Sequence, residues 1–256
     1  MLDSITPVIL TYNEAPNIER TLSALSWARR IIVLDSFSDD ETETICRRFD
    51  NVHFTQREFD QHATQWNAAI AQQIDTEWTL ALDADHVVSS ALIATLSKLK
   101  PARETQGYWI PFIYKINGQA LRGSLYPPLV SLYRSGRGIY MQDGHTQRVE
   151  VPGQLDKLSA HIYHDDRKAV SRWRQSQKKY AAQEAHKLAT APFKQLKLQD
   201  KFRYLGIAPL IVLPYTLFVK GVVIDGATGV QYAWQRFMAE LYLQQARLTL
   251  LYKKTD

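Results

Sequence analysis

Two carboxylates, Asp83 and Asp85, stand one residue apart directly after an apolar run at residues 78–82. Paired carboxylates at the end of a strand can bind a hard divalent cation, Mg²⁺ or Mn²⁺, which in turn binds substrate phosphates. The same pair could instead cap the next helix, because negative side chains are favoured near helix N-termini. The pair is therefore a hypothesis for a metal site, and other motifs must support it.

Polar clusters also follow two earlier apolar runs. Residues 11–14 (TYNE) come after residues 7–10, and Asp35 and Asp40 come after residues 31–34. Ligands of open α/β sheets bind at the carboxyl ends of strands, and a packed sheet has no structural need for carboxylates at successive strand ends. The sequence contains neither G-x-G-x-x-G nor G-x-x-x-x-G-K-[ST]. A nucleotide bound here would therefore be held by side chains and a metal.

The elements that must position these groups alternate along the first hundred residues. Apolar runs predict strands, and apolar residues at three- and four-residue spacing predict the helices between them. The predicted strands are residues 7–10, 31–34, 52–54 and 78–82. Strands that are apolar on both faces are typical of a parallel α/β sheet. Further strands at 108–116 and 129–133 predict a mixed or antiparallel extension of that sheet.

The composition excludes other classes of protein. The chain of 256 residues is 45% hydrophobic, 22% charged and 11% aromatic, which excludes a disordered chain and allows one sizeable core with an appendage. Its single cysteine, Cys46, excludes an internal disulfide framework and a cysteine-rich zinc site. The first residues are acidic where a signal peptide would be basic, so no secretion signal is predicted.

The net charge of +5 combines two parts of opposite sign. Residues 1–165 carry −5 and residues 166–256 carry +10, which predicts an acidic α/β domain followed by a basic helical region. Residues 205–219 have no charge but contain Pro209 and Pro214. As a straight helix they would span about 22 Å, against about 30 Å of hydrocarbon, and the prolines would break that helix. We expect an interfacial or re-entrant segment there, the alternative being a buried pair of core helices.

Taken together, these motifs resemble the family 2 glycosyltransferases of GT-A fold, and are most similar to the subgroup that resembles lipopolysaccharide-core β-glucosyltransferases. The resemblance rests on residues 8–14, 31–42, 65–69 and 82–85, and continues through His164, Tyr180, Glu184 and Ala185 to residues 220–226. It implies a GT-A, Rossmann-like, mostly parallel sheet with an antiparallel extension, to which the pattern of charge and apolar residues adds a helical C-terminal region expected to associate with a membrane. It also implies inverting transfer of a sugar from a nucleoside-diphosphate sugar, with a UDP-sugar favoured, to a glycolipid, polysaccharide or lipopolysaccharide acceptor.

The resemblance also assigns roles to individual residues. The group that would surround the nucleoside consists of Thr11, Tyr12, Asn13, Glu14, Asp35 and Asp40. Gln65 and Asn67 would lie beside the ribose and diphosphate. Asp83 and Asp85 would border the donor, and Asp85 would bind Mg²⁺ or Mn²⁺ on the diphosphate. His164 is a further candidate metal ligand, although Asp165 and Asp166 after it could equally form a helix-capping cluster.

The general base is where this sequence departs from the subgroup, which typically has a His-Glu pair where this chain has Thr146-Gln147. Neither Thr nor Gln can take a proton from an acceptor hydroxyl at neutral pH. Asp143 or His145 could supply the base from a shifted position, and we favour Asp143. Arg148 could bind the diphosphate or pair with a carboxylate at the edge of the sheet.

Two other functions fit parts of the sequence. Residues 83–87 also match the D-x-D-x-[TV] signature of haloacid-dehalogenase-type phosphohydrolases, in which Asp83 would be the nucleophile. The basic residues between Arg167 and Arg203 are mixed with aromatic residues and could bind nucleic acid. Because these basic residues flank the apolar segment 205–219, we instead expect an anionic membrane, with the protein held peripherally on the cytoplasmic side of the plasma membrane.

Overall fold

The computed structural model describes residues 1–143 and 146–252, which divide into two compact units. Unit 1 contains residues 1–118, 126–142 and 146–167. Unit 2 contains residues 119–125, Asp143 and residues 168–252. The domain division predicted from the sequence, a catalytic domain at 1–165 and a basic helical region at 166–256, stays a prediction.

Short strands dominate unit 1 and helices dominate unit 2. The strands are β1 Ile5–Thr11, β2 Ile31–Asp35, β3 Val52–Gln56, β4 Trp78–Asp83, β5 His86–Val88, β6 Thr105–Ile110, β7 Phe112–Ile116, β8 Gln119–Ala120, β9 Leu129–Arg134, β10 Ile139–Asp143, β11 Thr146–Glu150, β12 Gln154–Lys157 and β13 Ile162–His164. The helices are α1 Ile18–Ser23, α2 Thr42–Cys46, α3 His62–Ile70, α4 Ser90–Lys98, α5 Val170–Thr190, α6 Leu198–Tyr204, α7 Ala208–Pro214 and α8 Gly226–Tyr252.

A seven-stranded sheet with the order β12-β6-β9-β4-β1-β2-β3 forms the centre of unit 1. β3, β2, β1 and β4 are parallel, whereas β9 runs antiparallel to β4 and β6. Successive residues of each central strand enter opposite cores, with Val8 and Ile32 on one face and Ile9 and Val33 on the other. This two-sided burial explains why the strands are apolar throughout. The predicted fold class, a mostly parallel α/β sheet with an antiparallel extension and a helical C-terminal region, is confirmed.

One predicted strand is in fact two. The apolar run at 108–116 is interrupted by Pro111, which has no N–H to donate to a ladder. Before it, β6 belongs to the large sheet; after it, β7 pairs in parallel with β13, which in turn pairs antiparallel with β5. The break therefore creates a second, smaller sheet, and β5 of that sheet begins directly after the β4 turn.

Unit 2 is built on the two long helices α5 and α8, which pack against each other. Their apolar core consists of Ala181, Ala185, Leu188, Leu196 and Leu243. Within the described parts of the chain, no single helix is long and apolar enough to cross a membrane. One bent pair, Ala208–Val219 with Val222–Leu251 at an angle of 71°, meets the requirements of length and composition only when taken together.

Candidate active site

The predicted site residues of β1, β2 and β4 lie at one edge of the central sheet. Thr11 pairs with Asp35 at the ends of β1 and β2, and Leu10 pairs with Asp83 at the end of β4. Because all three strands are parallel, their carboxyl ends reach the same edge, which is where ligands bind in open α/β sheets. The sequence-based expectation that these groups lie together is therefore met by the register of the strands.

The turn that carries the two carboxylates is fixed through its main chain. The buried Thr21 hydroxyl donates to the carbonyl of Ala84 at 2.7 Å. The carbonyl of Asp85 accepts from the N–H of Asp165 at 3.0 Å, and the N–H of Asp83 donates to Nδ1 of His86 at 3.1 Å. The main chain around the Asp-Ala-Asp motif is therefore held from three directions.

Asp85, His86 and His164 form the cluster with metal-ligand chemistry in the described part of the chain. Nε2 of His164 is 3.6 Å from Oδ2 of Asp85, and Nε2 of His86 is 3.9 Å from Oδ1. The two histidines are brought together by strand pairing, because His164 of β13 lies opposite His86 of β5. Asp85 is 11% exposed at its side chain, whereas Asp83 is 43% exposed.

The two histidines differ in what they can offer a metal ion. Nδ1 of His86 accepts the Asp83 N–H, which assigns the ring proton to Nε2, 3.2 Å from the Tyr126 hydroxyl. Burial lowers the pKa of His86 to about 4, so the ring is neutral at pH 7 with its one lone pair already engaged. His164 is also kept neutral because burial lowers its pKa, and its Nδ1 is buried without a hydrogen-bond partner in the described structure.

A divalent cation fits this set of donors. Asp85 supplies a carboxylate, His164 supplies a neutral imidazole, and Asp83 supplies a more exposed carboxylate beside them. Oxygen and imidazole ligands suit Mn²⁺ and similar ions, while carboxylates also suit Mg²⁺. His86 is better described as a positioning group, since it bonds to the main chain of the turn.

Aromatic rings surround the buried side of this cluster. Tyr114 stacks on His164 with ring centroids 4.5 Å apart, and the ring of Tyr126 is 4.8 Å from that of His164. Phe112 lies 4.8 Å from His86. Burial, together with the nearby carboxylates, raises the pKa of Tyr126 well above its usual value, so its hydroxyl stays protonated. Such a low-dielectric wall strengthens electrostatic interactions at the cluster.

Asp35 organises the loop after β2. It is fully buried, and its carboxylate accepts hydrogen bonds from Thr11, Gln56 and both the N–H and hydroxyl of Ser38. Asp40, further along the same loop, also accepts hydrogen bonds, from the N–H groups of Ala15 and Thr42. Both carboxylates therefore shape the predicted nucleoside site by fixing its loops.

The loops after β1 and β2 each carry a large aromatic side chain that is exposed to solvent. Tyr12 and Phe37 are each more than half exposed. Phe37 and Asn13 adopt the left-handed backbone region, with φ of 58° and 55°, which is an uncommon and strained conformation for a bulky residue such as Phe. Asn13 is stabilised there because its Oδ1 accepts the N–H of Asp39. Phe37 was not predicted as a site residue, and nothing in its residue type signals this geometry.

Gln65 and Asn67 both project from α3 but bond to different elements. The buried Gln65 donates to the hydroxyl of Ser36 at 3.0 Å and accepts from Arg57 at 2.6 Å, so it lies beside the loop after β2. Asn67 instead bonds to the N–H and the carbonyl of Tyr140, which attaches β10 to α3. The structure thus joins Gln65, but not Asn67, to the loop residues.

The candidates for the general base occupy the β10–β11 region. Asp143 ends β10 and pairs with Lys187 at 2.8 Å and Lys197 at 3.0 Å. Hydrogen bonds from these lysines, Lys187 first, lower the pKa of Asp143 to about 2. His145 lies outside the described residues. Arg148 is exposed and pairs with Glu150 at 2.8 Å.

Asn17 is a further site residue that the sequence did not reveal. It is fully buried and its Nδ2 donates to Glu14 at 2.7 Å and to Asp166 at 2.9 Å. Its Oδ1 accepts from Arg20 at 3.0 Å and from the N–H of Arg167 at 2.8 Å. Asn17 thus ties the loop after β1 to the segment that follows His164. Asp166 and Arg167 are distant from Asn17 in sequence, so no local signal could have identified this connection.

Comparison with known proteins defines the class to which this fold and site belong. The sequence model of glycosyl transferase family 2 matches residues 6–138, a range that runs from the second residue of β1 to beyond β9 and includes both carboxylates of the β4 turn. The chain belongs to this family and is a glycosyltransferase. Membership also decides against the phosphohydrolase that residues 83–87 had allowed. No curated protein matches the chain.

Solved structures with a similar arrangement are distant in sequence. TarS of S. aureus (residues 1–349) is 14% identical, with a TM-score of 0.46 over 98% of this chain and 92% of that one. Glucosyl-3-phosphoglycerate synthase from Mycobacterium tuberculosis, solved with Mn²⁺, UDP and glucosyl-3-phosphoglycerate, is 19% identical, with a TM-score of 0.35 over 44% of each chain.

Proposed function

We propose that this glycosyltransferase transfers a sugar, with inversion, from a nucleoside-diphosphate sugar to a glycolipid or polysaccharide acceptor at a membrane surface. The observation that carries the proposal is the Asp85–His164 pair at the carboxyl edge of the sheet, beside the loops organised by Asp35. A buried carboxylate and a neutral imidazole could bind a metal ion at the edge of the sheet where such a donor would bind.

The cation would be Mg²⁺ or Mn²⁺, with Asp85 and His164 as its protein ligands and Asp83 beside them. When bound, it would stabilise the negative charge that develops on the departing nucleoside diphosphate. The chain itself contributes rigidity, because the main chain of the turn is fixed by Thr21 and Asp165. Tyr12 and Phe37 offer exposed rings, and a UDP-sugar is the first donor to test.

The acceptor hydroxyl must lose a proton as it attacks the anomeric carbon, and we keep Asp143 and His145 as candidates for that base. Asp143 is ionised at neutral pH, but its lysine partners weaken its basicity, since an efficient base titrates near the working pH. Asp143→Asn and His145→Gln, compared over a pH range, separate the two. The variant that removes the base should lose turnover and the acidic limb of the profile.

For the location we propose the cytoplasmic side of the plasma membrane, with the protein bound peripherally. The support is the +10 charge of residues 166–256, since the cytoplasmic leaflet is the anionic one. The acceptor would then be presented by the membrane itself, as a lipid-linked sugar or a growing polysaccharide.

A donor screen tests the proposed function. Release of nucleoside diphosphate is measured for a set of nucleotide sugars with Mn²⁺, with Mg²⁺ and with a chelator. We expect release to require the metal and to be lost in Asp85→Asn, with His164→Gln strongly impaired. Asp75→Asn, an exposed carboxylate on a loop before β4, is the matched control. Metal-independent turnover, or normal turnover by Asp85→Asn, would contradict the proposal.

A further inference from the structure

Unit 2 presents a group of large apolar side chains to solvent over a short stretch of chain. We call this group the apolar face; it consists of Leu198, Leu205, Leu210, Phe218, Val219 and Ile224. Leu210 is 76% exposed, and Phe218 and Val219 are each 70% exposed. Single exposed apolar residues need no explanation. Several of them close together indicate a surface that contacts a membrane or another molecule.

Three polar side chains in and beside this segment are buried instead. Asp200, Thr216 and Glu240 are buried, and Arg203 donates to Oε1 of Glu240 at 2.7 Å and to Oε2 at 3.2 Å. Arg247 donates to the carbonyl oxygen of Arg203. Asp200 and Arg203 are thus paired inside unit 2 while the large side chains of the apolar face lie in solvent, which is opposite to the usual arrangement of a protein in water.

The backbone holds this reversed arrangement firmly. Gly206 and Gly221 have positive φ angles, and they turn the chain just before and just after residues 207–219. A Cβ added to Gly229 of α8 would lie 1.7 Å from the carbonyl oxygen of Val222, so the chain after the second turn packs directly on α8. The exposure of Leu210 and Phe218 is thus built into the packing of unit 2.

Cations paired with aromatic rings lie in the same part of the chain. Lys201 lies 5.7 Å from the ring centre of Phe193, and Lys220 lies 5.9 Å from that of Tyr215. Arg247 lies 5.2 Å from the ring of Tyr204. Long cationic and aromatic side chains bury their apolar parts in a membrane interface while their polar ends reach water or headgroups.

We propose that the apolar face is a monotopic docking surface for an anionic lipid bilayer, with residues 207–219 lying in the interface. Charge complementarity selects this occupant, because the surrounding cations match anionic headgroups. The segment Ala208–Val219 is about 18 Å long as a helix, too short to cross about 30 Å of hydrocarbon. The inference rests on the membrane location proposed above and names the surface responsible.

Vesicle flotation with the full chain tests the proposal. The double variant Leu210→Glu/Phe218→Glu places two charges on the apolar face at exposed positions, so unit 2 should still fold. Ile139→Glu, an exposed apolar residue of β10, is the matched control. The vesicles are phosphatidylcholine with or without roughly one third phosphatidylglycerol. We expect the wild type and Ile139→Glu to float with the anionic vesicles, and the double variant to bind at least about tenfold more weakly.

Other outcomes would overturn the proposal. Unchanged flotation of the double variant, with circular dichroism showing a native fold, would exclude the apolar face as the docking surface. A concentration-dependent dimer that the double variant abolishes, without vesicle binding by the wild type, would assign the face to a second copy of the chain. Failure of the proposed catalysis is distinguishable, because Asp85→Asn should lose sugar transfer and keep vesicle binding.

Discussion

Asn17 allows a substitution that changes charge with almost no change in shape. In Asn17→Asp, Oδ1 keeps the hydrogen bonds that it accepts from Arg20 and Arg167. The Nδ2 donor, at 2.7 Å from Glu14 and 2.9 Å from Asp166, is replaced by a carboxylate oxygen. Because the position is fully buried, the new charge would face two like charges with little screening by water, and the Arg20 guanidinium at 3.0 Å would offset part of their repulsion.

The size of the penalty follows from the two ways in which the site can respond. The new carboxyl can bind a proton and donate it to one neighbour, which at pH 7 costs roughly 4 kcal/mol for a group with an ordinary pKa of about 3.9. The second charge-assisted hydrogen bond is still lost, which adds about 1.5–3 kcal/mol. Because Arg20 offsets part of these costs, we expect a loss of stability of up to about 6 kcal/mol at pH 7, comparable to the whole stability of many domains.

The pH dependence has a definite sign. The folded state raises the pKa of the new carboxyl above its unfolded value, so the folded state binds a proton that the unfolded state has released. Stability relative to wild type is therefore highest below about pH 4 and falls by about 1.4 kcal/mol per pH unit above it. Wild-type Asn17 does not titrate, so the difference between the two proteins isolates this effect.

Urea unfolding followed by tryptophan fluorescence measures this difference. Between about pH 5 and pH 6.5 the deficit of Asn17→Asp should grow by about 2 kcal/mol. Asn17→Ala is the control, since it removes the same donor without adding a charge, and its deficit should be nearly constant with pH. A deficit of Asn17→Asp that is equally constant would refute the placement of Nδ2 between two carboxylates.

Three further substitutions test other parts of the structure. Thr21→Val removes the hydrogen bond to Ala84 and should cost about 1–3 kcal/mol in urea unfolding while weakening Mn²⁺ binding in calorimetry, and Thr21→Ser should restore both. Phe37→Gly relieves a left-handed conformation worth about 1–2 kcal/mol, so the melting temperature should not fall, whereas the KM for the donor should rise. Gly229→Ala brings a Cβ against the Val222 carbonyl and should lower the melting temperature of unit 2 strongly, by an overpacking cost of about 1–3 kcal/mol or more.

The strands of the central sheet could be predicted because each one is a short run of consecutive apolar residues in the sequence. Residues 31–34 are apolar on both faces since Val33 and Ile32 enter different cores, and that requirement is visible in the sequence itself. The split at Pro111 was missed, because the length of an apolar run does not show which sheet each half joins. Pro111 was the available signal, since proline rarely lies within a paired strand.

The site was predictable only where function follows from position along a strand. Asp35, Asp83 and Asp85 could be selected because each follows a predicted parallel strand. The role of His86 could not, since it depends on which ring nitrogen meets the N–H of Asp83 in three dimensions. Asp143 was favoured as a base from its residue type, and the lysines that lower its pKa are 44 and 54 residues away in the chain.

The side chains of Asp83 and Asp85 differ in how freely they can move, and this difference favours separate roles for them. Asp85 is almost buried, and its own carbonyl and that of Ala84 are both hydrogen-bonded, so its position is set when the chain folds. Asp83 is nearly half exposed at its side chain and can adapt to what binds beside it. A ligand that is ordered before binding loses less entropy when the complex forms. Under the proposed function, the motif would combine a preorganised metal ligand, Asp85, with an adaptable neighbour, Asp83, so the metal should select the first whereas the donor should contact the second.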